Sequence, residues 1–450
     1  MDIQQYMSAV PEFDRFLTVD ELNEDFRRIA SEYPEIARLE RVGSSQLGEP
    51  IDMLSLGTGD RNILLFACPH PNEPIGAMMV HHLARVLAED PALRDGLGFT
   101  WNLIACVDPD GTRLNEGWFA GPFTIANYAG NFYRPAGFQQ VEWTFPTNYK
   151  TNYFDQSLRE TQTLMRVIDR LQPVLMGSLH NAGFGGVYYY ISKDTPALYD
   201  TFHKIAAWEE LPLRLGEPEV PYVQEFAPAI FGLISSVDTY DYLETNGADL
   251  STYSQGGSSA EYAEKYGTLT LIIELPYFDD PRVNDQTVTS TSRREAILAG
   301  LDRTDAEYDA LKAHFDAVKG KLRTHSAFEQ AVGWFIEIQH QMRGAERHWA
   351  ETSPETDRPA TVAELFSNDQ EGQGYRLLML GMLRRMLRGE VATGNSAPVI
   401  REHLAQVEKE FAEWADRLES QLEMRAIPIR KLVSVQLGAI IAAAVELTEA

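Results

Sequence analysis

The strongest constraint on the fold is a recurring pattern in which a short apolar run is followed by ionisable residues that can bind a metal or take part in catalysis. The first copy lies in residues 62–76, where the run NILLFAC meets a proline and is followed by His70 and Glu73. An apolar run of this length, bounded by turn-forming residues, indicates a buried β-strand. The imidazole and the carboxylate lie three residues apart across a tight loop, so both can face one cation of zinc type.

The same arrangement recurs at three further apolar runs. One candidate functional residue follows each run: Arg113 after residues 101–107, His180 after residues 173–179 and Glu274 after residues 268–273. In open α/β sheets, ligands bind at the carboxyl ends of the strands. We therefore predict that these side chains meet His70 and Glu73 at one edge of a sheet.

Residues of this type make up a hydrolytic zinc site. Two histidines and a carboxylate with an open fourth position are the usual protein ligands of catalytic zinc, and an unliganded glutamate beside them is the usual general base. The pattern predicts that His70, Glu73 and His180 bind one Zn²⁺ per chain. It predicts Glu274 as the general base.

The order of elements predicts a doubly wound α/β protein with a helical extension. Strands and helices alternate through the first part of the chain, beginning with a predicted helix at residues 19–33. Beyond about residue 300 the apolar spacing becomes helical throughout. We therefore predict a catalytic domain at residues 1–300 and an all-helical extension at residues 301–450. The extension either packs on the catalytic domain or forms a homo-oligomer contact.

Charge and composition exclude some classes of partner. The formal net charge is −27, with 66 acidic and 39 basic residues, which opposes binding to nucleic acid or to anionic membranes. The amino terminus has no basic region followed by an apolar segment, and no apolar run reaches the length of a membrane span. We therefore expect a cytoplasmic protein with neither nucleic-acid nor membrane partners. The two cysteines, Cys68 and Cys106, are predicted to be buried and free.

Taken together, the motifs resemble those of the zinc carboxypeptidases of the carboxypeptidase A and B type, over residues 15–280. Seven segments carry the resemblance: EYPEIARLERVGSSQLGEPIDMLSLG at the start, HPNE, DPDG, EWTFP at 142–146, SLH at 178–180, YSQGGS at 253–258 and IEL at 273–275. The resemblance implies the mixed sheet of that family. We expect a bacterial-type, cytoplasmic member.

The resemblance also implies an activity and further site residues. The activity is removal of a C-terminal residue from a peptide, with Arg113 as the oxyanion-stabilising arginine. The substrate-binding residues that it implies are Arg134, Tyr133, Tyr253 and Ser259. Ser259 is neutral, so it gives no charge-based selection of the terminal residue.

One family motif is altered. The family has Asp-x-Asn-Arg in the long irregular segment at residues 117–150, where this chain has Asn-Phe-Tyr-Arg at 131–134. The arginine, Arg134, suits a substrate carboxylate. The change from Asp to Asn removes a carboxylate that would orient a zinc-bound histidine.

Two other functions remain open. HPNEPIG also resembles a segment of the succinylglutamate desuccinylase and aspartoacylase group, which hydrolyses small N-acyl amino acids; the Gly-Gly-Ser turn and the opening segment favour the peptidase. The substrate is accordingly a peptide or an acyl-amino acid. The second alternative is a non-catalytic zinc-binding relative, but such relatives usually lose a ligand or the base, and this chain has all four residues.

Overall fold

The computed structural model describes residues 1–251, 253–423 and 425–449. Its strands are β1 (Ala37–Ser44), β2 (Pro50–Leu56), β3 (Arg61–Ala67), β4 (Phe99–Ile104), β5 (Thr147–Tyr149), β6 (Asn152–Phe154), β7 (Leu175–Leu179), β8 (Tyr188–Ile191), β9 (Glu225–Ala227), β10 (Ile230–Gly232), β11 (Leu269–Glu274), β12 (Phe278–Asp279), β13 (Val288–Ser292), β14 (Pro359–Thr361) and β15 (Arg425–Ala426). Nine of them form one sheet in the order β1-β2-β4-β3-β7-β11-β8-β10-β9.

The centre of this sheet is parallel and its edges are mixed. Strands β4, β3, β7 and β11 lie side by side and run parallel, while β8 pairs with β11 in the antiparallel direction. These four strands occupy the four predicted apolar runs, so their carboxyl ends share one edge. The prediction of a mixed α/β sheet with a C-terminal helical region is confirmed.

The helices are α1 (Ile3–Ser8), α2 (Val19–Glu32), α3 (Ile75–Glu89), α4 (Pro91–Arg94), α5 (Pro109–Arg113), α6 (Ile125–Asn131), α7 (Arg159–Leu171), α8 (Pro196–Trp208), α9 (Ser236–Thr245), α10 (Ser259–Ala263), α11 (Arg293–Lys319), α12 (Ala327–Thr352), α13 (Val362–Phe366), α14 (Gly372–Ala392), α15 (Pro398–Gln421) and α16 (Ile429–Glu449). The helix predicted at residues 19–33 is α2, and a capping box between Thr18 and Glu21 fixes its start. Short 3₁₀ turns and α6 occupy the irregular segment at 117–150.

Both faces of the sheet are covered because its central strands are apolar on both sides. Along β3, Leu65 belongs to the core shared with α3 and α16. Its neighbours Leu64 and Phe66 belong to a second core shared with α7. Successive side chains of a strand point to opposite faces, so helices pack on each side, as parallel sheets require.

The last helix, α16, packs on the sheet and its covering helices rather than on the other helices of the extension. α16 packs against α1, α3, α8, β7 and β11, whereas α11, α12, α14 and α15 pack mainly on one another. The predicted boundary at residue 300 therefore does not describe the packing of α16. Residues 429–448 are long and apolar enough to span a membrane by length and composition alone, and 72% of the window is buried within the protein.

Candidate metal centre and active site

The three predicted metal ligands converge at the carboxyl edge of the parallel strands. His70 and Glu73 lie in the loop between β3 and α3, and His180 directly follows β7. The His70 Nδ1 atom lies 3.2 Å from Glu73 Oε1, and the His180 Nδ1 atom lies 3.0 Å from Glu73 Oε2. All three side chains are buried, and one donor atom from each lies within 4.8 Å of the others.

The chemistry of this donor set fits a zinc ion. Two imidazole nitrogens and one carboxylate oxygen face a common point, and zinc binds such atoms at about 2.0 to 2.2 Å. Burial and the charge of Arg134 lower the pKa of His70 to about 3, which keeps a nitrogen lone pair available. The charge of Arg134 and the hydrogen bonds with His180 and His70 outweigh burial and hold the pKa of Glu73 well below its usual range.

His180 is electrostatically coupled to the ligand carboxylate. Burial lowers the pKa of its imidazole, but the hydrogen bond to Glu73 and the charge of Glu73 outweigh burial and raise the pKa to about 9. Cation binding at His180 Nδ1 requires the neutral ring, so metal binding is coupled to proton release.

Glu274 is the last residue of β11 and lines the same cavity as the three ligands. Burial, followed by the negative charge of Glu73, raises its pKa well above the usual value for a glutamate. A carboxylate whose pKa is shifted upward in a cleft is suited to accept and return a proton near neutral pH.

Arg134 lies directly beside the ligand group. Its Nη1 atom donates to Glu73 Oε1 at 2.7 Å, its Nε atom donates to Gln140 Oε1 at 3.0 Å, and its guanidinium lies over the Trp143 ring at 5.4 Å. Among the cavity-lining residues that the structure describes, Arg134 is the single lysine or arginine.

A buried carboxylate that the sequence analysis did not assign, Glu142, supports His180. The Ser178 hydroxyl lies 2.9 Å from His180 Nε2 and 3.1 Å from Glu142 Oε2. The backbone NH and hydroxyl of Ser259 donate to Glu142 Oε1 at 3.0 and 2.6 Å. Glu142 therefore supplies the orienting carboxylate that the altered Asp-x-Asn-Arg motif lacks. The EWTFP segment was the sequence signal for it.

The structure places Arg113 away from the ligand group. Its guanidinium lies 2.7 Å from Asp20 and 3.2 Å from Glu49. In the part of the chain that is described, Arg113 does not line the cavity. The arginine braces α2 against the loop after β1, because the end of α5 directs its side chain outward, so its predicted oxyanion role is not supported.

Three of the residues predicted to bind substrate also make their contacts away from the cavity. The Tyr133 ring packs edge-on against Phe328 at 5.1 Å, and the Tyr253 ring packs against Tyr240 at 5.9 Å. Ser259 is buried and holds Glu142. Within the described residues, none of these three side chains lines the cavity, so the structure gives no support to their predicted roles in substrate binding.

The cavity is built from both parts of the chain and has a volume of about 430 Å³. The sheet edge supplies the metal ligands, and the segment between β8 and α9 supplies Glu219, Leu233 and Ile234. The extension supplies the opposite wall through Tyr308, Phe335, Gln339, Tyr375, Leu378 and Met379. The helices beyond residue 300 therefore form part of the site.

The fold and the site together define a zinc hydrolase. The model of the family described as zinc carboxypeptidase matches residues 22–280. Because this match covers more than half of the 450 residues, the chain belongs to the zinc carboxypeptidase family. No curated protein sequence matches the chain.

Solved structures of carboxypeptidases and of an amidase match part of the chain at low sequence identity. Carboxypeptidase A from Helicoverpa armigera is 14% identical, with a TM-score of 0.40, over 61% of this chain and 70% of that chain. A metallo-carboxypeptidase from Burkholderia cenocepacia is 14% identical, with a TM-score of 0.36, over 58% and 60%. The murein-tripeptide amidase MpaA from Escherichia coli O157 is 19% identical, with a TM-score of 0.28, over 53% and 83%.

Proposed function

We propose that this protein is a zinc-dependent hydrolase that removes the C-terminal residue of a short peptide. One observation carries the proposal: the His70, Glu73 and His180 group, the base candidate Glu274 and the cation Arg134 all line one cavity. Acyl-bond hydrolysis needs a polarising site, a proton acceptor and a group that fixes the substrate, and these residues match the three needs.

His70, Glu73 and His180 hold the metal. When bound, a zinc ion polarises the substrate carbonyl and lowers the pKa of water toward about 7. The Glu274 carboxylate accepts a proton from the attacking water and delivers it to the nitrogen of the leaving amine. Its raised pKa suits both steps, because the protonated form is stable enough to act as an acid near neutral pH.

Arg134 fixes an anionic oxygen of the substrate. The guanidinium already meets a carboxylate, Glu73, at 2.7 Å, and its planar fork suits a second one. The cavity of about 430 Å³ is walled by helices on one side, so it fits a short substrate better than a long chain that passes through. Arg134 therefore positions the terminal carboxylate of a short peptide.

The position of Arg134 also favours a second candidate. A carboxylate held by this arginine lies close to the ligand group, because the same guanidinium contacts Glu73. A small N-acyl amino acid places its carboxylate near its amide bond, so hydrolysis of such a compound is the alternative function.

Mass spectrometry of reaction products separates these functions. Zinc-loaded protein is incubated with peptides whose carboxyl termini are free or amidated, and with N-acyl amino acids; Glu274→Gln protein serves as the control. Loss of the last residue from the free peptides alone supports the carboxypeptidase. Cleavage of the N-acyl amino acids alone supports the alternative, and no cleavage of any of these compounds contradicts both.

Four properties stay predictions from the sequence. They are the bacterial type, the cytoplasmic location, the lack of nucleic-acid and membrane partners, and self-association through the helical extension.

A further inference from the structure

We infer that Glu219 forms a subsite for a cationic group of the substrate, an ammonium or guanidinium carried on an aliphatic chain. The inference deepens the proposed function, since it uses the same cavity. It names a specificity residue in place of Ser259, which lies outside the cavity wall.

Two tyrosines of the sheet fix the Glu219 carboxylate. The Tyr188 hydroxyl donates to Oε1 at 2.5 Å, and the Tyr190 hydroxyl donates to Oε2 at 3.0 Å. In the sheet register Tyr188 pairs with Glu274 and Tyr190 pairs with Ile272. The carboxylate is therefore held over the wall that carries the proposed general base.

Among the lining residues that the structure describes, Glu219 is the one acidic side chain to which the proposed reaction gives no role. The remaining lining carboxylates are Glu73, which is a metal ligand, Glu142, which supports His180, and Glu274, which is the base. Among the described residues no lysine, arginine or histidine lies within ion-pair distance of Glu219. A neighbouring cation, Arg214, is paired with Glu371.

The surroundings of Glu219 determine which cations fit. The nearby lining residues Leu233, Ile234 and Ile272 are aliphatic, so they can pack against an aliphatic stem while its charged end meets the carboxylate. Glu219 is itself solvent-exposed, and hydrogen bonds that involve a charged group are stronger than neutral ones. A lysine-like or arginine-like group satisfies both parts of this wall, whereas a neutral isostere leaves the carboxylate without a counter-ion.

Binding measurements test the subsite without requiring turnover. Zinc-loaded Glu274→Gln protein is titrated by calorimetry with acetyl-Ala-Lys and with acetyl-Ala-norleucine, which replaces the ammonium by a neutral group. We expect the lysine ligand to bind about three- to tenfold more tightly, because Glu219 is exposed and its ion pair is partly screened by water. Adding Glu219→Gln should bring the ratio of the two dissociation constants close to one.

A matched control variant tests whether the preference depends on Glu219 itself, and a second ligand pair tests which cationic group of the ligand is recognised. Glu225→Gln removes the same charge from an exposed residue of β9 and should leave the ratio unchanged. Ala-Ala and acetyl-Ala-Ala form the second pair; if Glu219→Gln abolishes a preference for the free dipeptide, the cation is the α-amino group rather than a side chain.

Three results would overturn the subsite: equal binding of the charged and neutral members of both pairs, no measurable binding of any of the four ligands, or preferences that survive Glu219→Gln. Zinc content and thermal unfolding of each variant report on folding. The two proposals can fail separately. If the protein prefers the lysine ligand through Glu219 but cleaves nothing in the mass-spectrometric test, the proposed reaction is contradicted and the subsite is supported.

Discussion

At the scale of single residues, the site depends on a carboxylate that does not touch the metal ligands directly. Glu142 acts on His180 through the Ser178 hydroxyl. Its burial raises its pKa, and donors from Ser259 and Ser178 offset part of that cost. Partners of this kind fix the orientation of a ligating imidazole.

Replacing Glu142 by Gln should weaken zinc binding by about 10- to 100-fold, because the ring of His180 loses its charged support. Competition with a chromophoric chelator measures the affinity. Ser259→Ala, which removes one hydroxyl donor to the same carboxylate, should have a smaller effect. An unchanged zinc affinity in Glu142→Gln would show that the carboxylate only satisfies local hydrogen bonds.

The sequence indicated the candidate metal ligands and the candidate base more readily than the residues that hold them in place. His70, Glu73, His180 and Glu274 follow apolar runs, so strand periodicity alone placed them at one edge. Glu142 lies in a 3₁₀ turn without periodicity, and its role depends on contacts with distant residues. Arg113 was misplaced because position after a strand does not determine the direction of a side chain.

At the scale of elements, the turn between β4 and α5 contains a buried acid. Asp108 caps α5 by accepting a hydrogen bond from the Gly111 NH at 2.9 Å. Burial raises its pKa to about 8. The native carboxyl therefore keeps its proton at pH values where the unfolded chain, with a pKa near 3.8, releases it, so this group's contribution to stability falls as pH rises from about 4 to 8.

Asp108→Asn should remove this pH dependence, since an amide can accept the same hydrogen bond without titrating. The free energy of unfolding of the variant minus that of wild type should be about 2 to 4 kcal/mol larger at pH 8 than at pH 5, because only the wild type loses stability over this range. Urea titrations at the two pH values measure the difference. The same difference at both pH values would show that burial does not perturb Asp108.

The sequence predicted secondary-structure elements where the apolar periodicity is strong. It could not predict which surface an element packs against. The four parallel strands and α2 matched their apolar patterns. The packing of α16 on the sheet could not be predicted from the sequence, because an apolar helix gives no sign of which surface it covers. In the fold it packs against Gly177 of β7, where a Cβ atom would lie 3.0 Å from Ile440 Cδ1.

At the scale of the whole molecule, the helices beyond residue 300 complete both the core and the cavity. α16 donates from Gln436 Nε2 to the carbonyl of His180 at 3.0 Å. It also buries six large aliphatic side chains, Leu432, Val433, Val435, Leu437, Ile440 and Ile441. At about 2 kcal/mol each, their burial contributes roughly 12 kcal/mol, which is comparable with the whole stability of a domain.

A fragment containing residues 1–300 should therefore fail to form the site, because β7 and β11 lose the helix that covers them. Circular dichroism, limited proteolysis and zinc stoichiometry would compare this fragment with the full chain. The full chain should bind one zinc ion and the fragment should bind none. A folded fragment with the full zinc stoichiometry would show that residues 1–300 are an independent domain.

The measurement that tests the central claim most directly is hydrolysis of the best substrate from the mass-spectrometric panel, before and after removal of the metal. Chelation should abolish turnover, one equivalent of zinc should restore it, and Glu274→Gln should retain zinc while its turnover falls by about 10² to 10⁴. Turnover that persists in the metal-free protein, or in zinc-loaded Glu274→Gln at the wild-type rate, would contradict the account.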